Sequence, residues 1–221
     1  MPAAVVFDLD GVIIDSEPVW EQVRRQVVAE RGGEWLPDAQ QRLMGMSTPE
    51  WARYLSEELH VQLPPDVVAD LVINRMAERY ARELPLLPGA VEAVSRTAAQ
   101  WPLGLASSSP PRLIEAALRA AGLHEAFLVT VSTEEVAAGK PAPDVYLLAA
   151  ERLGVPARRC VAVEDSTNGL RAAAAAGMQV IAIPRPEYPP EPAALAGAAV
   201  VLESLEELTP SLIDSLDVKL P

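Results

Sequence analysis

The sequence predicts an α/β fold: a Rossmann-like parallel sheet with helices on both faces, plus an inserted small helical domain. Three observations predict it. Short continuous apolar runs alternate with periodic Ala- and Leu-rich segments, the pattern of strands buried on both faces between crossover helices. A long block after the first run carries helical periodicity and no buried strand. Acidic and small polar residues stand where the apolar runs end, and ligands in open α/β sheets collect beyond the C-terminal strand ends.

Residues 4–8, AVVFD, read as the first strand, entirely apolar until Asp8. From 16 to 84 the expected elements are all helical, at 18–31, 38–43, 49–59 and 64–84. Pro49 and the tandem Pro64–Pro65 suit first helical turns, where a missing N–H is no loss. The block is too long for an ordinary crossover. It is therefore expected to be a second domain over 16–84, with the main domain over 1–15 and 85–221, and hinges near 14–17 and 83–88. LLPG at 86–89 marks re-entry. A helix at 89–99 then leads to a strand at 101–107, a helix at 111–121 to a strand at 126–132, and a helix at 142–153 to a strand at 160–165. A helix at 167–176 precedes the fifth strand at 179–184, and 199–204 suggests a short sixth. Gly122, Gly154 and Gly177 follow helical segments as C-terminal caps do. PRPEYPP at 184–190 reads as a surface loop.

Composition narrows the function. Half the residues are apolar and mean hydropathy is +0.14, so a packed core is expected. The net charge of −13 disfavours nucleic acid and anionic membranes as partners. It also means that a phosphate site must carry its own local positive field. The lone cysteine, Cys160, lies in the apolar run CVAVED and is expected as a small buried hydrophobe. No stretch approaches a membrane span and no charged-then-apolar leader precedes the first strand, so the cytoplasm is the expected location. The oligomeric state is open and compatible with a monomer.

Four polar features fall at or just after expected strand ends: Asp8 with Asp10, Ser107–Ser109, Lys140, and Glu164 with Asp165. A carboxylate can attack phosphorus when the phosphoryl oxygens are neutralised. Asp10, two positions on, returns to the same side as Asp8 and can handle a proton. Mg²⁺ suits hard oxygen ligands, which Asp8, the backbone carbonyl of Asp10 and Asp165 can supply, with Glu164 ligating directly or through water. Ser107 and Ser108, with nearby backbone N–H groups, can receive phosphoryl oxygens. The blander alternative is that Ser108 or Ser109 caps the helix that follows. Lys140, in the stiff loop GKPAPDVY, supplies a directed positive charge.

These motifs resemble the haloacid-dehalogenase-like hydrolase superfamily, in the branch with a small helical cap after the first motif. FDLDGV matches its DxDG motif, ASSS at 106–109 the second, GKPAPDVY the third and VEDSTNG at 163–169 the fourth, in family order. The resemblance implies Asp8 as nucleophile, Asp10 as general acid/base, Ser107 and Lys140 as phosphoryl-stabilising groups, and Glu164 with Asp165 completing a Mg²⁺ site. It also implies that the block at 16–84 is a cap that closes over the site. Asp10 and the Glu164–Asp165 pair point to phosphorus rather than carbon chemistry.

The resemblance extends to bacterial sugar-phosphate phosphatases of the 2-deoxyglucose-6-phosphate and hexitol-phosphate group, through DSEPVW, GLASSSP, KPAPDVYLLAA and IPRPE. The expected activity is therefore Mg²⁺-dependent hydrolysis of small phosphate monoesters, sugar or sugar-alcohol phosphates, through an aspartyl-phosphate. β-Phosphoglucomutases share all four motifs but carry a histidine where Trp20 stands and an arginine where Thr48 stands. A mutase is thus the first alternative and a phosphoglycolate phosphatase the second. A phosphorylatable receiver-like signalling module is the non-enzymatic alternative. Glu17, Trp20, Met44, Met46 and Thr48 are expected to line the substrate pocket. Arg75 and Arg79 either reach a distal anionic group or are solvated helix residues.

Overall fold

The chain opens with β1 (Ala4–Phe7), four fully buried apolar residues whose continuity requires cover on both faces. The computed structural model describes residues 1–43 and 46–216. Helices α1 (Glu17–Glu30), α2 (Ala39–Leu43), α3 (Thr48–Arg53) and α4 (Pro65–Arg82) follow before the next strand. Then come α5 (Ala90–Ala98), β2 (Leu103–Ser107), α6 (Pro111–Ala120), β3 (Val129–Ser132), α7 (Asp144–Arg152) and β4 (Cys160–Glu164). The chain continues through α8 (Thr167–Ala175), β5 (Gln179–Ala182), α9 (Pro192–Leu195), β6 (Val200–Val201) and α10 (Pro210–Ser215).

All strand pairs are parallel, in the order β3-β2-β1-β4-β5-β6. This doubly wound order reverses direction at β1, between β2 and β4. On one face, alternate strand residues Ala4, Val6, Ala106, Cys160, Ala162 and Ala182 pack with Tyr146, Ala149, Ala172 and Ala173 of α7 and α8. The small side chains let both helices approach the sheet closely. Phe7 meets Phe127 edge-on at 6.0 Å. Cys160 is fully buried in this core and unpaired.

Strands are shorter than their apolar runs. Pro102 lacks an N–H, so β2 starts at Leu103 rather than Trp101, and Pro102 contributes only its carbonyl, to Val5 N–H at 3.2 Å. Residues His124–Ala126 form a 3₁₀ turn, which delays β3 to Val129. The sixth strand shrinks to two residues at the sheet edge. Segment 184–190 carries no helix or strand.

Backbone contacts divide the chain into two compact units, Met1–Asp15 with Pro85–Pro221, and Ser16–Leu84. In the first unit the two connecting stretches run side by side. Asp15 N–H donates to Pro85 O at 2.8 Å, Leu87 N–H to Ile13 O at 3.0 Å, and Ile14 bridges Leu86 antiparallel. Arg185 Nη2 donates to Asp15 Oδ2 at 3.2 Å, tying the loop after β5 to the same stretch.

The second unit packs α1, α3 and α4 through Trp20, Val23, Val27, Trp51, Val68, Val72, Met76 and Tyr80. Ser47 and Glu50 form a capping box that starts α3. The expected single helix at 49–59 is instead α3 followed by a π-helical turn, Tyr54–Glu58, in which Leu59 N–H reaches five residues back to Tyr54 O at 3.1 Å. Arg24 is buried here, its guanidinium 4.5 Å from the Trp20 ring centroid and 5.1 Å from that of Trp51. Burial pulls Arg24 down to about 10, against the opposing influence of Glu17 and Tyr80.

Candidate active site

Sheet register assembles the site. Phe7 pairs with Val163 of β4 and with Leu105 of β2, so the residues just beyond these strands converge. Asp8 N–H donates to Val163 O at 2.9 Å, which fixes Asp8 beside Glu164. Lys140 comes from the loop before α7. Its ammonium donates to Asp8 Oδ1 at 2.7 Å, Glu164 Oε1 at 2.6 Å and Ala106 O at 3.1 Å. Those three acceptors use all three ammonium hydrogens.

Glu164 is fully buried and surrounded by donors. Beside Lys140, Tyr146 OH donates to Oε1 at 2.7 Å. Oε2 accepts from Asp165 N–H at 3.0 Å, and from Ser166 N–H and Ser166 Oγ, each at 3.2 Å. Ser166 also caps α8, accepting from Gly169 N–H at 3.1 Å. Gly169 must lack a side chain: a Cβ there would lie 1.8 Å from Glu164 Oε1. Gly11 is constrained likewise, since its φ of +81° is left-handed and a Cβ would meet Asp165 Oδ2 at 1.9 Å.

Asp8, Glu164 and Asp165 each offer a carboxylate oxygen, all within 4.8 Å of one another. Asp165 Oδ1 is buried without a hydrogen-bond partner. An orphaned carboxylate oxygen beside two other carboxylates is a donor set for a hard cation, so the residues present fit a metal ion. The electrostatics of the cluster agree. Burial first, and then Glu164 and Asp10, push Asp8 up to about 8 despite the pull of Lys140. Burial, then Glu164 and Asp8, hold Asp165 well above the usual carboxylate range. Lys140 is raised by Asp8 and Glu164, which outweigh the desolvation that opposes them, so it stays charged. Burial, reinforced by Glu164 and Asp8, keeps the Tyr146 proton in place.

Asp10 belongs to the same cluster. Ser107 Oγ donates to Asp10 Oδ2 at 3.1 Å and Ser109 Oγ to the same oxygen at 2.8 Å. Ser107 Oγ in turn accepts from Ser109 N–H at 2.9 Å. The capping alternative for Ser108 and Ser109 is thereby corrected. The α6 N-cap is Pro110, whose ring carries no hydrogen-bond acceptor, and Ser109 turns to Asp10 instead. Ser108 is exposed.

The expected pocket residues fall in the second unit. Glu17 is half-buried and accepts from Gln40 Nε2 at 3.0 Å. Trp20 is nearly buried, packed edge-on to Trp51 at 5.9 Å. Met46 and Thr48 are half-buried, and Met44 lies outside the described residues. Arg75 and Arg79 brace α4 to α1, through Glu30 at 2.5 Å and Gln22 at 2.7 Å. Sequence reasoning missed Tyr146, Ser109 as a partner of Asp10, and the two glycines, although all lie inside the quoted motifs.

Residues 2–177 match the family described as haloacid dehalogenase-like hydrolase. The chain is 39% identical over 212 residues to hexitol phosphatase B of Escherichia coli, covering 93% of this chain and 94% of that protein. It is 32% identical over 179 residues to fructose-1-phosphate phosphatase YqaB of Escherichia coli, covering 81% of this chain and 95% of that protein. Among solved structures, CbbY from Rhodobacter sphaeroides in complex with phosphate is similar with a TM-score of 0.87 and 31% identity, over 97% of this chain and 100% of that one. Fold, carboxylate cluster and sequence similarity thus lead to one assignment: this chain belongs to the haloacid dehalogenase-like hydrolases.

Proposed function

We propose that this protein is a Mg²⁺-dependent phosphatase of small phosphate monoesters, acting on sugar or sugar-alcohol phosphates through a phosphorylated Asp8. The observation that carries the reading is the pairing of two differently held carboxylates. Asp8 is gripped by Lys140 at 2.7 Å, and Asp10 by the hydroxyls of Ser107 and Ser109. One is set to attack and the other to move a proton. A hydrolase family and relatives named for hexitol and fructose-1-phosphate phosphatases support the substrate class. The receiver-like signalling alternative is set aside by membership of that hydrolase family.

In this proposal a carboxylate oxygen of Asp8 attacks phosphorus and the phosphorus–ester oxygen bond breaks. Asp10 gives its proton to the departing alcohol oxygen. Asp10 then takes a proton from water as that water attacks phosphorus, the Asp8–phosphorus bond breaks, and inorganic phosphate leaves. Lys140 and Ser107 hold phosphoryl oxygens, and Ser108 adds contacts at the strand end. Asp8, the Asp10 carbonyl and Asp165, with Glu164 beside them, would hold the metal. Mg²⁺, when bound, supplies positive charge that offsets the negative charge of the phosphoryl oxygens.

The second unit, Ser16–Leu84, is assigned as the cap that selects substrates, with Glu17, Trp20, Met46 and Thr48 as the positions to vary. A cytoplasmic location belongs to the same proposal. The unpaired Cys160 accords with a reducing compartment, and no helix among the described residues is long and apolar enough to cross a membrane. The test is a panel of hexitol phosphates, hexose 6-phosphates, hexose 1-phosphates and phosphoglycolate, assayed with Mg²⁺. The expected result is fastest phosphate release from a hexitol or hexose phosphate. Phosphorus NMR of β-glucose 1-phosphate with a trace of glucose 1,6-bisphosphate addresses the mutase alternative. Isomerisation to glucose 6-phosphate faster than phosphate release would replace hydrolysis with transfer.

A further inference from the structure

Lys140 has no hydrogen to spare. Its three N–H bonds end on Asp8 Oδ1, Glu164 Oε1 and Ala106 O. To hold a phosphoryl oxygen, the ammonium must release one acceptor. The acceptors differ in what each retains afterwards. Glu164 is fully buried, so water cannot replace a lost donor, and a buried carboxylate oxygen left bare is strongly unfavourable. Yet Glu164 Oε1 has a second donor, the Tyr146 hydroxyl at 2.7 Å. Tyr146 is itself fully buried on α7, and its ring centroid lies 5.1 Å from Lys140 Nζ. The ring therefore steadies the ammonium while the hydroxyl shares its acceptor.

We propose that Tyr146 is a positioning residue that keeps Glu164 hydrogen-bonded while Lys140 turns one N–H from Glu164 to the phosphoryl group. The proposal rests on the phosphatase reading and adds to it the residue that makes the lysine's change of partner inexpensive. Phenylalanine at this position would keep the ring, its packing and its contact with the ammonium, and remove only the reserve donor.

The decisive experiment is steady-state turnover of the best phosphate ester by Tyr146→Phe in the full chain. A loss of about tenfold in kcat is expected, the order of one charge-assisted hydrogen bond, with KM within about twofold of wild type. Acting through Lys140, the substitution should add no further loss in single-turnover assays of Lys140→Ala with and without it. A kcat for Y146F within about twofold of wild type, or the same tenfold loss on top of K140A, would overturn the proposal. A readout on the wild-type protein guards against a variant that fails to fold. Lys140 and Lys219 are the chain's lysines, so ¹⁵N-lysine labelling gives a readily assigned ammonium signal. On saturation with inorganic phosphate and Mg²⁺, the Lys140 ¹⁵Nζ signal should move while Tyr146 ¹³Cζ, which reports its hydroxyl hydrogen bond, stays in place. A stationary Lys140 signal, or a Tyr146 signal that moves with it, would reject the mechanism. A wild type that releases phosphate from no ester would refute the substrate assignment, and the NMR result with inorganic phosphate would still decide the role of Tyr146.

Discussion

Ser109 and Asp10, 99 residues apart in sequence, meet where Ser109 Oγ donates to Asp10 Oδ2 at 2.8 Å. Ser109 is itself fixed from a third strand, since Ser132 at the end of β3 donates its hydroxyl to Ser109 O at 2.8 Å. The orientation of the proposed acid/base is thus set through successive strand ends of the sheet, by hydroxyls that carry no charge of their own.

Replacing that donor should be felt in catalysis. Ser109→Ala is expected to lower kcat by about tenfold, the scale of one hydrogen bond to a carboxylate, with the melting temperature little changed. Initial-rate kinetics beside a thermal melt will check this. A variant with wild-type kcat would show that Ser109 is not needed to orient Asp10.

Asp8→Asn should abolish turnover and leave the fold intact. An amide is a poor nucleophile at phosphorus, and losing a covalent nucleophile typically lowers rates by about 10³-fold or more. Phosphate release by D8N near the wild-type rate would exclude Asp8 as the attacking group.

The same residue predicts how stability depends on pH in protein stripped of metal. Asp8 is raised to about 8 in the fold from a reference of 3.8, so the folded state holds its proton more tightly than the unfolded chain does. Its contribution is fully present below the unfolded value and is lost as pH rises through the folded one. The melting temperature of wild type should therefore fall relative to that of D8N between about pH 4 and pH 8. Differential scanning calorimetry in EDTA will measure the difference. A constant offset across this window would contradict the assignment.

Asp165→Ala removes the carboxylate with the orphaned buried oxygen. Its affinity for Mn²⁺, a spectroscopic stand-in for Mg²⁺, should drop by at least about tenfold, because a charged hard ligand is lost. Electron paramagnetic resonance titration gives the constant directly. Unchanged affinity would place Asp165 outside the ligand set.

Gly169→Ala would place a Cβ 1.8 Å from a carboxylate held by five donors on Glu164. Such overpacking should destabilise the fold by about 2 kcal/mol or more, lowering the melting point by about 4–8 °C. A thermal melt within about 1 °C of wild type would mean that Glu164 can move aside.

The alternation of strands and helices was legible because fully buried strands leave unbroken apolar runs such as AVVF and CVAV. Strand ends were less legible, because hydrogen-bond pairing covers less of the chain than hydrophobicity does, as at Trp101, whose N–H turns back to Thr97 O ahead of Pro102. The acidic residues of the cluster stood out because carboxylates after apolar strands need an explanation. Tyr146 did not, since an aromatic on an Ala- and Leu-rich helix reads as core, and its hydroxyl finds Glu164 only through the packing of α7 on the sheet. Ser109 was hidden for a similar reason: a serine before a helix is an ordinary cap, and only the register of β1 against β2 brings Asp10 within reach. Arg24 reads like its exposed neighbour Arg25 on a polar helix. Trp20, one turn earlier, hints at its burial, but Trp51 comes from another helix altogether.

The ribbon formed where Ile13–Asp15 runs beside Pro85–Leu87 has an engineering consequence. The segment between them leaves and returns through adjacent, hydrogen-bonded positions, so joining those positions directly would require little extra chain and little loop-closure entropy. The sheet would keep its strand order, and the interrupted crossover from β1 to α5 would become an ordinary connection. In that sense residues 16–84 form a cassette. The acidic cluster on the sheet is encoded outside it, so, on the proposed assignment of this unit as the cap, its sequence can be exchanged or diversified without rewriting the chemistry.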